Sequence, residues 1–203
     1  MTEAWKQAFA RVPELLAAHV QISVSALVLA MLICLPLAIW ASRAPKVATF
    51  TLAIASLIQT IPGLALLALF YPLLLGLSAL IGGGISAFGF LPALLALTLY
   101  ALLPILRNAV TGLAGVDPAV AEAAPTIMAG IRTAAVWTIG AATLSTTVGQ
   151  PSLGDLIFAG LQTQNWTLVL TGCLFSALLA ISVDLLLGLI EMGIRKRRKI
   201  LVW

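Results

Sequence analysis

Residues 115–124 read GVDPAVAEAA, residues 125–148 read PTIMAGIRTAAVWTIGAATLSTTV, and residues 149–166 read GQPSLGDLIFAGLQTQNW. A short polar segment leads into an apolar run, and the run leads into a glycine-rich polar loop. Asp117 can cap a helix and Pro118 suits its first position, which predicts a brief helix from Asp117 to Ala124 outside the bilayer. The run that follows is long enough to cross a membrane. A surface helix, a crossing and a return loop decide the class: an all-α membrane protein.

The rest of the chain agrees. Hydrophobic residues make up 62% and charged residues 9% of the 203, with a mean hydropathy of +1.13. A soluble domain carries roughly 25% charged residues. Repeated apolar runs of about 20 residues predict five spans, at about 17–41, 47–70, 91–113, 126–148 and 166–190. Residues 1–16 mix charge with Trp5, Ala8 and Phe9 at helical spacing, which suits an amphipathic segment at the membrane surface. Residues 71–90 are expected to form an external loop with a partly inserted apolar piece, because Gly82, Gly83 and Gly84 would weaken any helix. Residues 149–165 form a second external loop, residues 114–125 a cytoplasmic segment, and residues 192–203 a basic tail. The first apolar run follows an amphipathic stretch and continues past signal length, so no cleavable signal is evident.

The net charge of +4 comes from bases gathered mainly at the ends of apolar runs, which reads as topology rather than nucleic-acid binding. With the C-terminus inside, Arg43 and Lys46, Arg107 and Arg132, and the tail Arg195 to Lys199 all fall on the cytoplasmic side. Only Lys6 and Arg11 fall outside. Five spans satisfy the positive-inside rule at three places, and six do not.

Polar groups inside the spans are the candidate functional residues. Ser56, Gln59 and Thr60 share a helical face, and Pro62 and Gly63 bend the chain beside them. Asn108 lies on a face with Pro104 and Thr111. Thr143, Ser145 and Thr146 make the far half of the fourth span polar. These groups either line a pathway or bond helix to helix. Asp184 is the one acid deep in a span, and counting from the tail puts it at the depth of Arg132, which predicts a structural ion pair. His19 reads as an interfacial histidine, Arg107 as a snorkelling base, and Cys34 and Cys173 as small core residues.

The quoted stretch also carries a resemblance. GVDPAVAEAA looks like the start of the EAA segment of ABC-importer permeases. Residues 131–166 and the IQTIPGLALLALF of residues 58–70 resemble the permease of osmoprotectant importers, which handle glycine betaine, carnitine, choline or proline. The likeness runs from about Ala18 to Glu191. It implies a type I ABC-importer permease fold and a place in the cell (inner) membrane. It also implies a second permease subunit, a separate ATPase holding ATP and Mg, and an external or periplasmic solute-binding protein. Membrane lipid is the remaining partner. Glu122, Ala123 and Ala124 match the family's ATPase-coupling motif, and Gly115, Asp117 and Pro118 match its lead-in. The sequence departs from the family after Ala124. Pro125 and the next span follow at once, so roughly 20 residues of the family's coupling region have no counterpart; the dozen or so left still suffice to join antiparallel helices.

The residues alone offer no catalytic chemistry and no metal site. There is no Walker lysine loop, no HExxH, and no cysteine–histidine metal spacing. One histidine and seven acids leave little for general acid–base work. The function classes left open are the permease of an ATP-driven importer, an ATP-independent channel or carrier for a small solute, and a coupling-defective membrane subunit.

Overall fold

The computed structural model describes residues 3–113 and 123–201. Among them the order is α1 (Glu3–Arg43), α2 (Pro45–Thr60), α3 (Gly63–Leu80), α4 (Phe90–Leu113), α5 (Ala123–Ala142), a 3-10 helix (Thr143–Val148), α6 (Gly154–Gln162) and α7 (Trp166–Leu201). Among the described residues, five helices are long and apolar enough to cross a membrane: Trp5–Arg43, Gly63–Leu80, Phe90–Leu113, Ala123–Val148 and Trp166–Ile194.

α1 is a single helix from Glu3, so the expected surface segment is continuous with the first span. At 1.5 Å per residue it is roughly 60 Å long, about twice the hydrocarbon thickness. Its buried stripe is Ala8, Val12, Leu15, His19, Ile22, Ala26, Ala30, Cys34, Ala38 and Ala41. These residues recur every three or four positions and become small toward the C-terminal half. Small side chains let neighbouring backbones come close. α4 fills that space: Thr98 donates to the Ala26 carbonyl at 3.5 Å, and the Cys34 thiol donates to the Leu102 carbonyl at 3.4 Å.

Helix direction follows from these pairings. Residues 22 and 26 of α1 pack with 93–97 of α4, and residues 34–41 with 101–110, so the two run parallel. α2 packs on the C-terminal half of α4 and α3 on its N-terminal half, so together they form one antiparallel run. α5 returns antiparallel to α4. Gly112 sits against Ala123 and Thr126, and Gly130 against Pro104 and Asn108. A Cβ on Gly130 would lie 2.6 Å from Asn108 Cβ and 2.7 Å from the Pro104 carbonyl oxygen, which sets how closely α4 and α5 approach.

Three expected boundaries change. The span expected at 47–70 breaks after Thr60. Pro62 disfavours helical backbone at the residue before it, and Ile61 is extended at φ −74°, ψ 124°. Helix then resumes as α3 and runs on to Leu80, so residues 71–80, expected in a loop, are helical. The leucines of YPLLLGLSAL are good helix formers, and Gly82, Gly83 and Gly84 come after the helix rather than within it. All three have φ between +85° and +106°, backbone that suits glycine at a helix end.

The fourth span tightens into a 3-10 helix at Thr143. Three hydroxyls explain it: Thr143, Ser145 and Thr147 each donate to the carbonyl three residues back, on Gly140, Ala142 and Leu144. Finally, the expected external loop 149–165 contains α6. Leu153 and Leu156 pack there against Val12 and Leu15 of α1. Asn165 then caps α7 by accepting from the Thr167 and Leu168 amides.

Candidate functional site: two polar clusters within the spans

The first cluster forms where α2 breaks. The break leaves the Ile61 carbonyl without a helical partner, and the Tyr100 hydroxyl donates to it at 2.6 Å. Gln59 Nε2 donates to the Tyr100 carbonyl at 3.1 Å. A Cβ on Gly63 would meet Leu144 Cδ1 at 3.3 Å and the Tyr100 hydroxyl at 3.5 Å, so the break rests against both α4 and the 3-10 helix. Gln59, Pro62 and Gly63 therefore converge with the Thr143–Thr146 stretch around Tyr100. Ser56 lies half-buried one turn earlier. Thr60 is exposed and bonds its own helix, through the Leu57 carbonyl.

Asn108 does not join them. It lies eight residues beyond Tyr100 on α4, roughly 12 Å along the axis. Its Nδ2 donates to the Pro104 carbonyl at 2.8 Å. Ser145 is buried and bonded to the Ala142 and Gln150 carbonyls. Thr146 faces another way: its hydroxyl is 2.8 Å from the Ser152 hydroxyl and donates to Asp155 Oδ1 at 2.5 Å. Ser152 and Asp155 then tie down the start of α6, through the Gly154 amide on Ser152 Oγ and the Ser152 amide on Asp155 Oδ1.

The second cluster joins α5 to α7. Arg132 Nε donates to Asp184 Oδ1 at 2.5 Å and Nη2 donates to Oδ2 at 2.6 Å, a bidentate fork. Nη1 lies 3.8 Å from Glu191 Oε2. Asp184, Gly188 and Glu191 share one face of α7 at spacings of four and seven. A Cβ on Gly188 would sit 3.3–3.6 Å from three guanidinium atoms, so glycine gives the fork a seat.

His19 is fully buried. Its Nδ1 accepts the Leu153 amide at 3.3 Å, and Nε2 faces the Ile139 carbonyl at 3.0 Å. That pattern fits the neutral ring with its proton on Nε2. It ties α1 to α5 and to the approach to α6.

Sequence reasoning passed over Tyr100, Gly188 and Glu191. The signals were present: a lone tyrosine hydroxyl in an apolar run needs a partner, and D-x3-G-x2-E is a face pattern on α7. Of the coupling residues, Gly115, Asp117, Pro118 and Glu122 lie outside the described residues. Ala123 is buried at the start of α5, and Ala124 is half-buried beside it.

No protein-family model matches the chain. Curated relatives do. It is 38% identical over 193 residues to the carnitine transport permease protein OpuCB of Listeria monocytogenes, covering 85% of this chain and 83% of the relative. Identity is 37%, with the same coverage, to the choline transport system permease protein OpuBB of Bacillus subtilis (strain 168). It is 36% to the osmoprotectant import permease protein OsmW of Salmonella typhimurium, over 83% of this chain and 85% of the relative. Because 85% of 203 residues is about 173, about 20 of the 193 positions matched in OpuCB have no counterpart in this chain. Two inward-facing crystal forms of the MetNI methionine ABC transporter share the fold. Their TM-scores are 0.72 and 0.75 at 18% identity, over 96% of this chain and 99% of that one.

Proposed function

The chain belongs to the permease family of osmoprotectant ABC importers, and we propose that it is the membrane subunit through which such an importer passes glycine betaine, carnitine, choline or proline. The observation that carries this reading is the 35–38% identity to carnitine, choline and glycine betaine permeases over 85% of the chain. The helix arrangement of an ABC-transporter permease supports it.

The chain itself contributes a path and a mechanical frame. ATP and Mg are held by a partner ATPase, a second permease subunit completes the path, and an external or periplasmic binding protein delivers solute. Gln59, Pro62, Gly63 and Tyr100 make a break in a span, where polar backbone is tolerated only against protein or water. That supports Gln59, Pro62 and Gly63 as pathway residues, with Ser56, Thr60 and Thr143 beside them; Ser145 and Thr146, turned to the Gln150 carbonyl and to Ser152 and Asp155, are assigned to holding the 3-10 helix and α6. Asn108, set apart and bonded within its own helix, is assigned to packing against α5. Arg132 and Asp184 hold α5 to α7.

Helix direction, read with the charges, supports an orientation. The ends of α1, α4 and α7 and the starts of α2 and α5 lie on one side of the bundle, with Arg43, Lys46 and Arg107. Positive residues favour the cytoplasm, so this side, the coupling segment 114–125 and the C-terminus face inward. Gly115, Asp117, Pro118, Glu122, Ala123 and Ala124 form the ATPase contact. The 20 or so unmatched positions fit a shortened coupling segment after Ala124, which weakens that contact without removing it. Co-purification is the test. A tagged chain expressed with its ATPase should retain it, and solute-loaded binding protein should stimulate ATP hydrolysis. Assembly with no ATPase retained under any condition would overturn the proposal.

A further inference from the structure

We propose that the α1–α2 corner holds one anionic phospholipid, with an acyl chain in a cavity between α1, α2 and α4 and the phosphate on Arg43 and Lys46. The cavity has a volume of about 160 Å³, with Cys34, Leu37, Thr51, Ile58, Leu102 and Leu106 in its wall. Its polar side chains are already turned to backbone: the Cys34 thiol donates to the Leu102 carbonyl at 3.4 Å, and the Thr51 hydroxyl to the Val47 carbonyl at 2.8 Å. The wall therefore offers an occupant hydrocarbon alone, which excludes a polar solute. An apolar cavity of about 150 Å³ stays dry and takes a benzene-sized group, so this one has room for about six chain carbons.

The depth fits a chain whose headgroup lies at the corner. At 1.5 Å per residue, Leu37 and Cys34 lie roughly 9 and 14 Å below Arg43 along α1, and Thr51 and Ile58 roughly 8 and 18 Å beyond Lys46 along α2. Half the hydrocarbon core is about 15 Å thick, so the cavity runs beside one leaflet. Phe50, Ile54 and Leu57 of α2 are exposed there, a surface suited to lipid. Arg43 ends α1 and Lys46 stands second in α2. Both are exposed, and neither has an acid partner among the described residues. Two unpaired bases at the rim of a membrane protein suit one phosphate. A second copy of the chain laid in the groove would have to bring an acid to the same corner; an anionic lipid brings the charge and the chain in one molecule. Ile58 also accepts the Ile61 amide at 3.2 Å, so the inner end of the lipid chain packs one turn from the break in the second span. The site stands on the fold and not on the permease reading.

The test is native mass spectrometry of the full chain, purified in detergent and titrated with dioleoyl phosphatidylglycerol or dioleoyl phosphatidylcholine. The parent should bind one phosphatidylglycerol about 25-fold tighter than phosphatidylcholine, since each base near the phosphate is worth about a factor of five. Arg43→Gln combined with Lys46→Gln should remove that preference and leave phosphatidylcholine binding unchanged. Arg11→Gln, at the other end of α1, should not alter it. Ile54 lines the cavity and is 42% exposed, so Ile54→Trp should fold and set a ring across the cavity. It should weaken both lipids alike, by about fivefold, through lost chain contacts. If the double variant does not insert, Ile54→Trp and the comparison of headgroups on the parent carry the test. No preference for phosphatidylglycerol, an equal loss in Arg11→Gln, unchanged binding in Ile54→Trp, or a dimer in which a second copy excludes lipid from the groove overturns the proposal.

Discussion

Gly154→Ala should be among the most damaging small changes outside the coupling segment. Gly154 starts α6 against the 3-10 helix. A Cβ there would overlap the Thr143 carbonyl oxygen and come within 2.7 Å of the Thr143 carbonyl carbon and 2.9 Å of Thr146 Oγ1. Backbone cannot yield as a flexible side chain does, so α6 must move off the 3-10 helix by about an ångström or more. Overpacking of this kind costs about 1–3 kcal/mol. The displacement also strains the Thr146 bonds to Ser152 and Asp155, and a bond to a charged acceptor is worth about 1.5–3 kcal/mol. Not all of both terms is lost, so about 3 kcal/mol is expected, or roughly 6–12 °C in melting temperature for a chain of this length. The two cysteines provide the assay. Cys34 is buried and Cys173 exposed, so in a Cys173→Ser background a thiol-reactive dye reports unfolding through Cys34 alone. Gly76→Ala is the control, since a Cβ there meets nothing within 4 Å. A Gly154→Ala protein that melts with the parent would refute the packing argument.

Other outcomes follow from the same frame. Asp184→Asn should lower the yield of assembled protein several-fold while leaving the ratio of uptake between solutes unchanged, because the carboxylate serves Arg132; normal assembly with altered selectivity would put Asp184 in the pathway instead. Thr138→Val should be neutral or stabilising by up to ~1 kcal/mol, because the buried Thr138 hydroxyl has no hydrogen-bond partner among the described residues; a clear loss in melting temperature would show that the hydroxyl is bonded in the folded protein. Inserting a family-like segment of roughly 20 residues between Ala124 and Pro125 should raise ATPase retention in a pull-down, since the few residues left of the family's coupling region offer less than the ~1,000 Å² of a stable interface; equal retention by both versions would make the absent residues dispensable.

Much of the fold was legible because the bilayer simplifies the problem. Long apolar runs must be helices there, so helices over the first, third, fourth and fifth apolar runs could be read directly. The second could not, because its two halves are set by different local causes. Pro62 breaks the helix, but the decisive stabiliser of the break is the Tyr100 hydroxyl on the Ile61 carbonyl, 39 residues away in sequence. The leucines before Gly82 outweigh the glycines after them, which composition alone does not rank. The 3-10 helix was written in the hydroxyl run TLSTTV, whose spacing suits bonds to the carbonyl three residues back. The Arg132–Asp184 contact followed from depth. Its third member, Glu191, reads in the sequence only as the start of a basic tail. The partners of His19, Ile139 and Leu153, could not be read because they come from elements that only the tertiary fold brings to α1.

ATP-dependent accumulation tests the central claim most directly. The chain is reconstituted in proteoliposomes with its ATPase and binding protein, and internal labelled glycine betaine is followed with ATP, without ATP, and with the ATPase omitted. The account predicts accumulation above the external concentration that requires ATP and the ATPase, and that rises when the coupling segment is lengthened. Solute that merely equilibrates, at the same rate in all three conditions, would make the chain a passive carrier and contradict the account.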